Sequence, residues 1–387
     1  MSYNSSYFFG DDTISGWGPR YFFSFYSEYG EGRSGMIIEV SFFVVIFVLS
    51  FIANLMIAAA VLKYPEMRTV TNCFLLNLTA ADIAFVAGIP ALVYTRLNHE
   101  WELGNFACKL LPYSQFVCGF VLLWTLTWIS MDRYRCIVVP PFRSQLTPKR
   151  ACLLTTITWL IASVIFLPVA LWFREQTTDN NLRICTLVFP KNDTVNVSLL
   201  FLVPTLLLSC IAPLTMFVYY YQQIFRKLNE TKDRWRNNDK NKFGSNKPDV
   251  LRQQEEIRLN RHMRVIRILL LNVLVVLIMW LPITVIMFLI YVDGSRPNHD
   301  TNFFLRSHHF IWTLLIALLN TVVNPLLYGV MSENFRKCFL RMRFLSRQRK
   351  ALTRQIFCDG GPGSSSSKTP TMVKTQFQFT NAISIID

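Results

Sequence analysis

Seven long apolar runs divide the chain, near Met36–Leu62, Asn72–Tyr94, Lys109–Val138, Ala151–Phe173, Leu199–Phe225, Val265–Tyr291 and Leu305–Val330. A helix needs roughly 20 apolar residues to cross the hydrocarbon core of a bilayer. The pattern therefore predicts an all-α integral membrane protein, a bundle of seven transmembrane helices over residues 36–330. Residues 1–35 precede it as a polar and aromatic segment. No long repeat divides the chain into matching halves, as inverted-repeat transporters require.

The polar segments between the runs set the expected orientation. Lys63 and Arg68 follow the first run, and Arg133, Arg135, Arg143, Lys149 and Arg150 lie between the third and fourth. The segment from Arg226 to Arg264 is dense in basic residues, whereas the alternate segments are poorer in them. Cytoplasmic loops carry the Lys/Arg excess, so the N-terminus is expected outside and the C-terminus inside. Acceptor patterns for N-glycosylation at Asn4, Asn192 and Asn196 fall on the expected outer side. Asn77 and Asn229 match the same pattern but lie in a span and an inner loop.

Composition agrees with a membrane setting. The 387 residues are 52% hydrophobic, 14% aromatic and only 16% charged, against about a quarter charged in soluble proteins. The net charge of +15 gathers beside the apolar runs without interleaved aromatics. That reads as a surface facing anionic lipid and not as a nucleic-acid surface. The first 35 residues lack the basic start and apolar core of a cleavable signal peptide, so the first helix is expected to target the chain. The tail over 346–387 is Gly/Ser/Thr-rich from Gly360 onward, reads as disordered, and offers Ser364–Ser367, Thr369 and Thr371 to kinases. Of nine cysteines none forms a paired CxxC zinc pattern. Cys73, Cys118, Cys136, Cys152 and Cys210 read as packing residues, while Cys108 and Cys185 stand in expected outer segments.

Polar groups inside an apolar run need a partner or a use. Asp82 in the second run, Asn54 in the first, and Asn320 and Asn324 in the seventh are candidates for one polar cluster. Asp132-Arg133-Tyr134 closes the third run, and a carboxylate beside an arginine can hold its fork. Trp280-Leu281-Pro282 and Asn324-Pro325-Leu326-Leu327-Tyr328 place a proline inside the sixth and seventh runs, where it removes a helix hydrogen bond and kinks the helix.

Asn54, Asp82, Arg133, Trp159, Pro213, Pro282 and Pro325 stand one per run in a fixed order. In this the chain resembles the rhodopsin-like (class A) G protein-coupled receptors over roughly Met36–Phe339. The resemblance implies a disulfide between Cys108 and Cys185. It implies a sodium pocket at Asp82, Asn320 and Asn324, although Leu122 stands where many members have a serine ligand. It implies an activation switch made of Asp132, Arg133, Tyr134, Tyr221, Trp280, Pro282, Asn324, Pro325 and Tyr328, with Val276 where members usually carry Phe. A short amphipathic eighth helix is expected over 331–345, with Phe335 and Phe339 facing lipid and Cys338 as a lipidation candidate. The implied partners are an extracellular peptide or lipid ligand, a heterotrimeric G protein, arrestin, a receptor kinase and membrane lipid. No cofactor, resident metal site or nucleic acid is expected.

Gln115 replaces the aspartate of amine receptors, and Leu318 the retinal lysine of opsins. Arg96, Trp101-Glu102-Leu103-Gly104 and Ile184-Cys185-Thr186-Leu187-Val188-Phe189-Pro190 resemble segments of the long-chain free fatty acid (omega-3) receptors, which implies a carboxylate bound at Arg96. Gln115 and the Trp-Xaa-Leu-Gly loop equally resemble neuropeptide receptors. The ligand therefore stays open between a peptide, which leads, and a fatty acid. Candidate ligand residues are Arg96, Gln115, Phe116, Gly119, Trp280 and Trp312. A transporter or channel would need a continuous polar path, and an enzyme a clustered catalytic set. His99, His262, His299, His308 and His309 supply neither.

Overall fold

The computed structural model describes residues 11–12, 18–19, 33–98, 100–140, 142, 144–177, 183–188, 190, 197–241, 270–271, 273–286, 289, 309–331, 335–338 and 340–341. The elements are β1 (Asp11–Asp12), β2 (Gly18–Pro19), α1 (Arg33–Lys63), α2 (Val70–Val86), α3 (Ile89–Asn98), α4 (Gly104–Ile137), α5 (Pro148–Ile165), α6 (Leu167–Trp172), β3 (Phe173–Thr177), β4 (Arg183–Leu187), α7 (Val197–Leu206), α8 (Ala212–Asn241), α9 (Val273–Ile286) and α10 (His309–Met331). Among the described residues six helical segments are long and apolar enough to cross a membrane, and α9 is a shorter apolar helix inside the expected sixth span. This is the all-α membrane bundle that the apolar runs predict.

Proline decides where the spans depart from straight helices. The second span breaks at Ala87-Gly88 ahead of Pro90, and the fourth at Phe166 ahead of Pro168. Neither proline has an N–H with which to continue the ladder. The fifth span carries a π-turn over Leu207–Ile211, closed by Ala212 N–H donating to the Leu207 carbonyl. Position 213 is proline, so no following amide reaches the Leu208 carbonyl. That orphan accepts from the Trp124 indole Nε1 of α4 at 3.1 Å.

Two expected boundaries and one expected exposure change. The third span begins at Gly104, five residues before Lys109, where a positive φ of 75° suits a residue without Cβ. The fifth span does not end at Phe225, because α8 continues to Asn241 through the basic segment. Arg, Lys, Gln and Glu are good helix formers, and Arg226 pairs with Glu230 one turn on at 3.3 Å. Phe335, expected to face lipid, is buried; covering its ring removes a large apolar area from the solvent. Phe339 lies outside the described residues.

The core gathers Phe43 and Ile46 of α1, Phe85 of α2, Ile89 and Leu92 of α3, Cys118 of α4 and Leu314, Leu315 and Leu318 of α10. The outward faces are also apolar, with Phe42, Val45, Leu49 and Ile52 of α1 exposed. Helices suit such an environment because they satisfy their own backbone. The chain divides into two units, Met1–Arg336 and Lys337–Asp387. In the second, Lys337, Cys338, Leu340 and Arg341 are helical and Cys338 is a buried thiol.

Candidate ligand and signalling sites

At one end of the bundle β3 and β4 pair antiparallel, with Glu175 opposite Cys185. A disulfide ties Cys185 to Cys108 on the first turns of α4. Trp101 is buried under it; its backbone N–H donates to the Arg183 carbonyl at 2.9 Å and its indole to the Gly104 carbonyl at 3.0 Å. The hairpin is thus anchored to the bundle at two points.

Near this end Arg96 of α3 lies inside the helices, at 1% exposure. Its Nη2 donates to Glu39 Oε2 of α1 at 2.6 Å and its Nε to the same oxygen at 3.1 Å. Tyr94 and Asn98 both donate to Glu102, at 2.7 and 3.1 Å. Gln115 lies beside Gly88, and Phe116 stacks on Phe166 at 5.4 Å. Gly119 lies under Trp280, whose ring also meets Phe85 at 5.7 Å. Trp312 sits apart on the α1 side, edge-on to Phe42 at 5.9 Å.

In the middle of the bundle Asn324 of α10 donates to Asp82 of α2 at 3.1 Å. Asn54 does not join them; it donates to the Thr321 and Ser50 carbonyls at 2.9 and 3.0 Å. The Oδ1 atoms of Asn320 and Asn324 are buried without a hydrogen-bond partner among the described residues. Leu122 is buried and brings no oxygen. Asn77 bridges three helices, donating to Thr125 and accepting from the Trp159 indole, both at 2.8 Å.

At the opposite end Arg133 is clasped. Its Nη2 donates to Asp132 Oδ2 at 2.8 Å and to the Thr71 hydroxyl of α2. Asp132 also accepts from Ser144 at 2.5 Å, on the segment leading into α5. Tyr134 packs on Tyr220 of α8 at 5.3 Å. Tyr221 is buried in α8 and Tyr328 in α10. Pro282 and Pro325 lie inside α9 and α10.

Residues 53–328 match the family described as 7 transmembrane receptor (rhodopsin family). The chain belongs to that family. It is a multi-pass membrane receptor by family and not a member of an enzyme family. The receptor is 30% identical over 304 residues to neuropeptide Y receptor type 2 of Gallus gallus, covering 76% of this chain and 72% of that one. It is 29% identical over 303 residues to the receptors of the same name in Mus musculus and Homo sapiens, covering 76% of this chain and 73% of each. These relatives agree with the neuropeptide-receptor likeness. The fatty acid likeness draws no support from them, and Arg96 already holds a carboxylate of its own chain.

Sequence reasoning missed three of these contacts, through Glu39, Thr71 and Ser144. Glu39 is the one acidic residue inside the first apolar run, and that isolation was the available signal. Thr71 and Ser144 stand out in no pattern, because ordinary hydroxyl residues become partners of the Asp132–Arg133 pair only through folding. The glycosylation candidates Asn4, Asn192 and Asn196 lie outside the described residues.

Proposed function

We propose that this receptor lies in the plasma membrane with its N-terminus and hairpin outside, binds an extracellular neuropeptide, and activates a heterotrimeric G protein at the Arg133 end. The observation that carries the reading is the Asp132–Arg133 clasp opposite a disulfide-anchored hairpin. A ligand reaching Gln115, Phe116 and the Trp280–Gly119 contact would press on α9, whose Pro282 allows it to swing. Release of Arg133 from Asp132 and Thr71 then opens a crevice for the G protein. Arrestin and a receptor kinase act on the same end and on the tail. Cys338 is a candidate for acylation.

Asp82 with the two unpartnered amide oxygens of Asn320 and Asn324 fits a hard cation, which prefers oxygen ligands. Those residues would hold sodium, and its charge would stabilise the Asp82 carboxylate away from water. Leu122 leaves this pocket one oxygen short of the family pattern.

A second reading has one observation in its favour. Arg96 binds a carboxylate through two of its nitrogens, and a fatty acid that displaced Glu39 would find that geometry ready-made. One experiment separates the two. Cells expressing the receptor are screened by calcium flux and arrestin recruitment against neuropeptides and long-chain fatty acids, with Arg96→Ala alongside. A peptide response with silent fatty acids supports the first reading. A fatty acid response lost in Arg96→Ala establishes the second, and silence towards both classes overturns the ligand assignment.

A further inference from the structure

Thr147, immediately ahead of α5, carries a hydroxyl that the signalling scheme does not use. The chain from Ser144 to Thr147 is neither helix nor strand, and Thr147 is exposed on an extended backbone, at φ −95° and ψ 157°. Pro148 opens the helix, followed by Lys149 and Arg150, and all three are exposed. Neither cation has an ion-pair partner among the described residues. A threonine followed at once by proline, with arginine three positions on, is the pattern that proline-directed serine/threonine kinases read, the cation meeting an anion of the kinase cleft. Thr-Pro occurs twice in the chain, here and at Thr369-Pro370, and only here does a basic residue stand three positions on. Entering such a cleft as an extended strand requires the first turn of α5 to unwind. Few bonds oppose that, because the first amides of a helix have no partner inside it and Pro148 has no N–H. The bonds given up are those of the Thr147 carbonyl with Ala151 N–H at 2.9 Å and of Thr147 Oγ1 with Arg150 N–H at 3.3 Å, which is long for a hydrogen bond.

We propose that Thr147 is a phosphorylation site for a proline-directed kinase, and that its phosphate caps α5 and fixes the segment that holds Asp132. Thr147 Oγ1 attacks the γ-phosphorus of ATP, the bond to the β-phosphate oxygen breaks, and ADP leaves. The hydroxyl proton passes to a carboxylate of the kinase. The phosphate brings a charge of roughly −1.5 to −2 and strong acceptor oxygens to the residue that now offers Arg150 N–H one weak acceptor. Lys149 and Arg150, which the positive end of the helix dipole disfavours, gain an anion beside them.

The cap would act on the arginine clasp. Ser144, three residues before Thr147, donates to Asp132 at 2.5 Å, and its hydroxyl also accepts from Leu146 N–H at 3.3 Å. A firmer start of α5 tethers this short segment and holds Asp132 on Arg133. The encounter with cytosolic kinases and the consequence for signalling rest on the receptor reading and its orientation; the reactivity of Thr147 does not.

The test incubates the full chain in lipid nanodiscs, which leave both faces accessible, with a purified proline-directed kinase and ATP, and maps phosphopeptides by mass spectrometry. Phosphate is expected at position 147 of the wild type and of Thr147→Ser. It is expected to be several-fold lower in Pro148→Ala and absent there from Thr147→Asn, which keeps a capping oxygen. Amide hydrogen exchange over 149–152 is expected to slow on phosphorylation, and basal nucleotide exchange on a purified G protein to fall, in the wild type and not in Thr147→Asn. Thr147 left unmodified by a kinase that phosphorylates a Thr-Pro peptide in the same tube overturns the proposal. Phosphate on Thr147 with unchanged amide exchange overturns the capping role. Slowed amide exchange with unchanged nucleotide exchange overturns the link to the clasp. Failure of the receptor reading would leave phosphorylation and amide exchange as expected and show instead as no G protein response even before kinase treatment.

Discussion

The Arg96 guanidinium meets the Glu39 carboxylate at 2.6 Å with the two side chains only 1% and 3% exposed. Removing one member of a buried ion pair leaves the other charge uncompensated, at about 3–5 kcal/mol. Glu39→Gln and Arg96→Gln are each expected to lower the melting temperature clearly, and the double variant to recover part of the loss. Fluorimetric melting of the four proteins checks this. Additive losses in the double variant would mean that the pair does not couple α1 to α3.

A Cβ placed on Gly119 would stand 3.3 Å from the Trp280 ring. Gly119→Ala needs the ring to give by a few tenths of an ångström, whereas Gly119→Leu overpacks the contact at roughly 1–3 kcal/mol. The expected result is graded: a small change in melting and ligand potency for Ala, a large one for Leu. Equal behaviour of both variants and wild type would show that Trp280 does not rest on α4.

Arg133 is held by a charged and a neutral acceptor, and the bond to Asp132, in which both partners are ionised, is the stronger. Asp132→Asn is expected to raise basal guanine nucleotide exchange several-fold, Thr71→Ala to raise it less, and Arg133→Ala to abolish activation with surface expression intact. Exchange on a purified G protein measures all three. Unchanged exchange in Arg133→Ala would sink the assigned role.

The Cys108–Cys185 bond closes a segment of 77 residues. The chain-entropy argument gives about 4.5 kcal/mol for a loop of that size. Cys108→Ser, Cys185→Ser and the double variant are expected to lose the same amount of stability and to lose ligand response, since each breaks the same bond. Full ligand response in all three would make the hairpin anchor dispensable.

If a cation occupies the pocket at Asp82, sodium chloride should raise the melting temperature over choline chloride at equal ionic strength. Asp82→Asn should abolish that difference and Asn320→Ala reduce it. No difference in the wild type would mean that Leu122 has closed the site to sodium.

Much of this receptor was legible along the chain. Apolar runs of membrane-crossing length determined the number of spans, because no other arrangement of such runs satisfies the backbone in lipid. The breaks ahead of Pro90 and Pro168 were not read from the sequence, and Pro282 and Pro325, which were singled out, lie inside α9 and α10. Cys108, Cys185, Asp82, Asn324, Asp132 and Arg133 stood out along the chain, and the structure joins Cys108 to Cys185, Asn324 to Asp82 and Arg133 to Asp132.

Other relationships belong to the tertiary structure. Trp280 and Trp312 are the same residue type, yet one rests on Gly119 and the other on Phe42 at the α1 side. The rotation of each helix about its axis decides that, and it is set by packing against neighbours far away in sequence. Glu39 and Arg96 are 57 positions apart, and each alone reads as a charge out of place. Only the packing of α1 against α3 turns two expensive charges into one neutral, buried pair, because the Coulomb attraction between them grows as water is excluded.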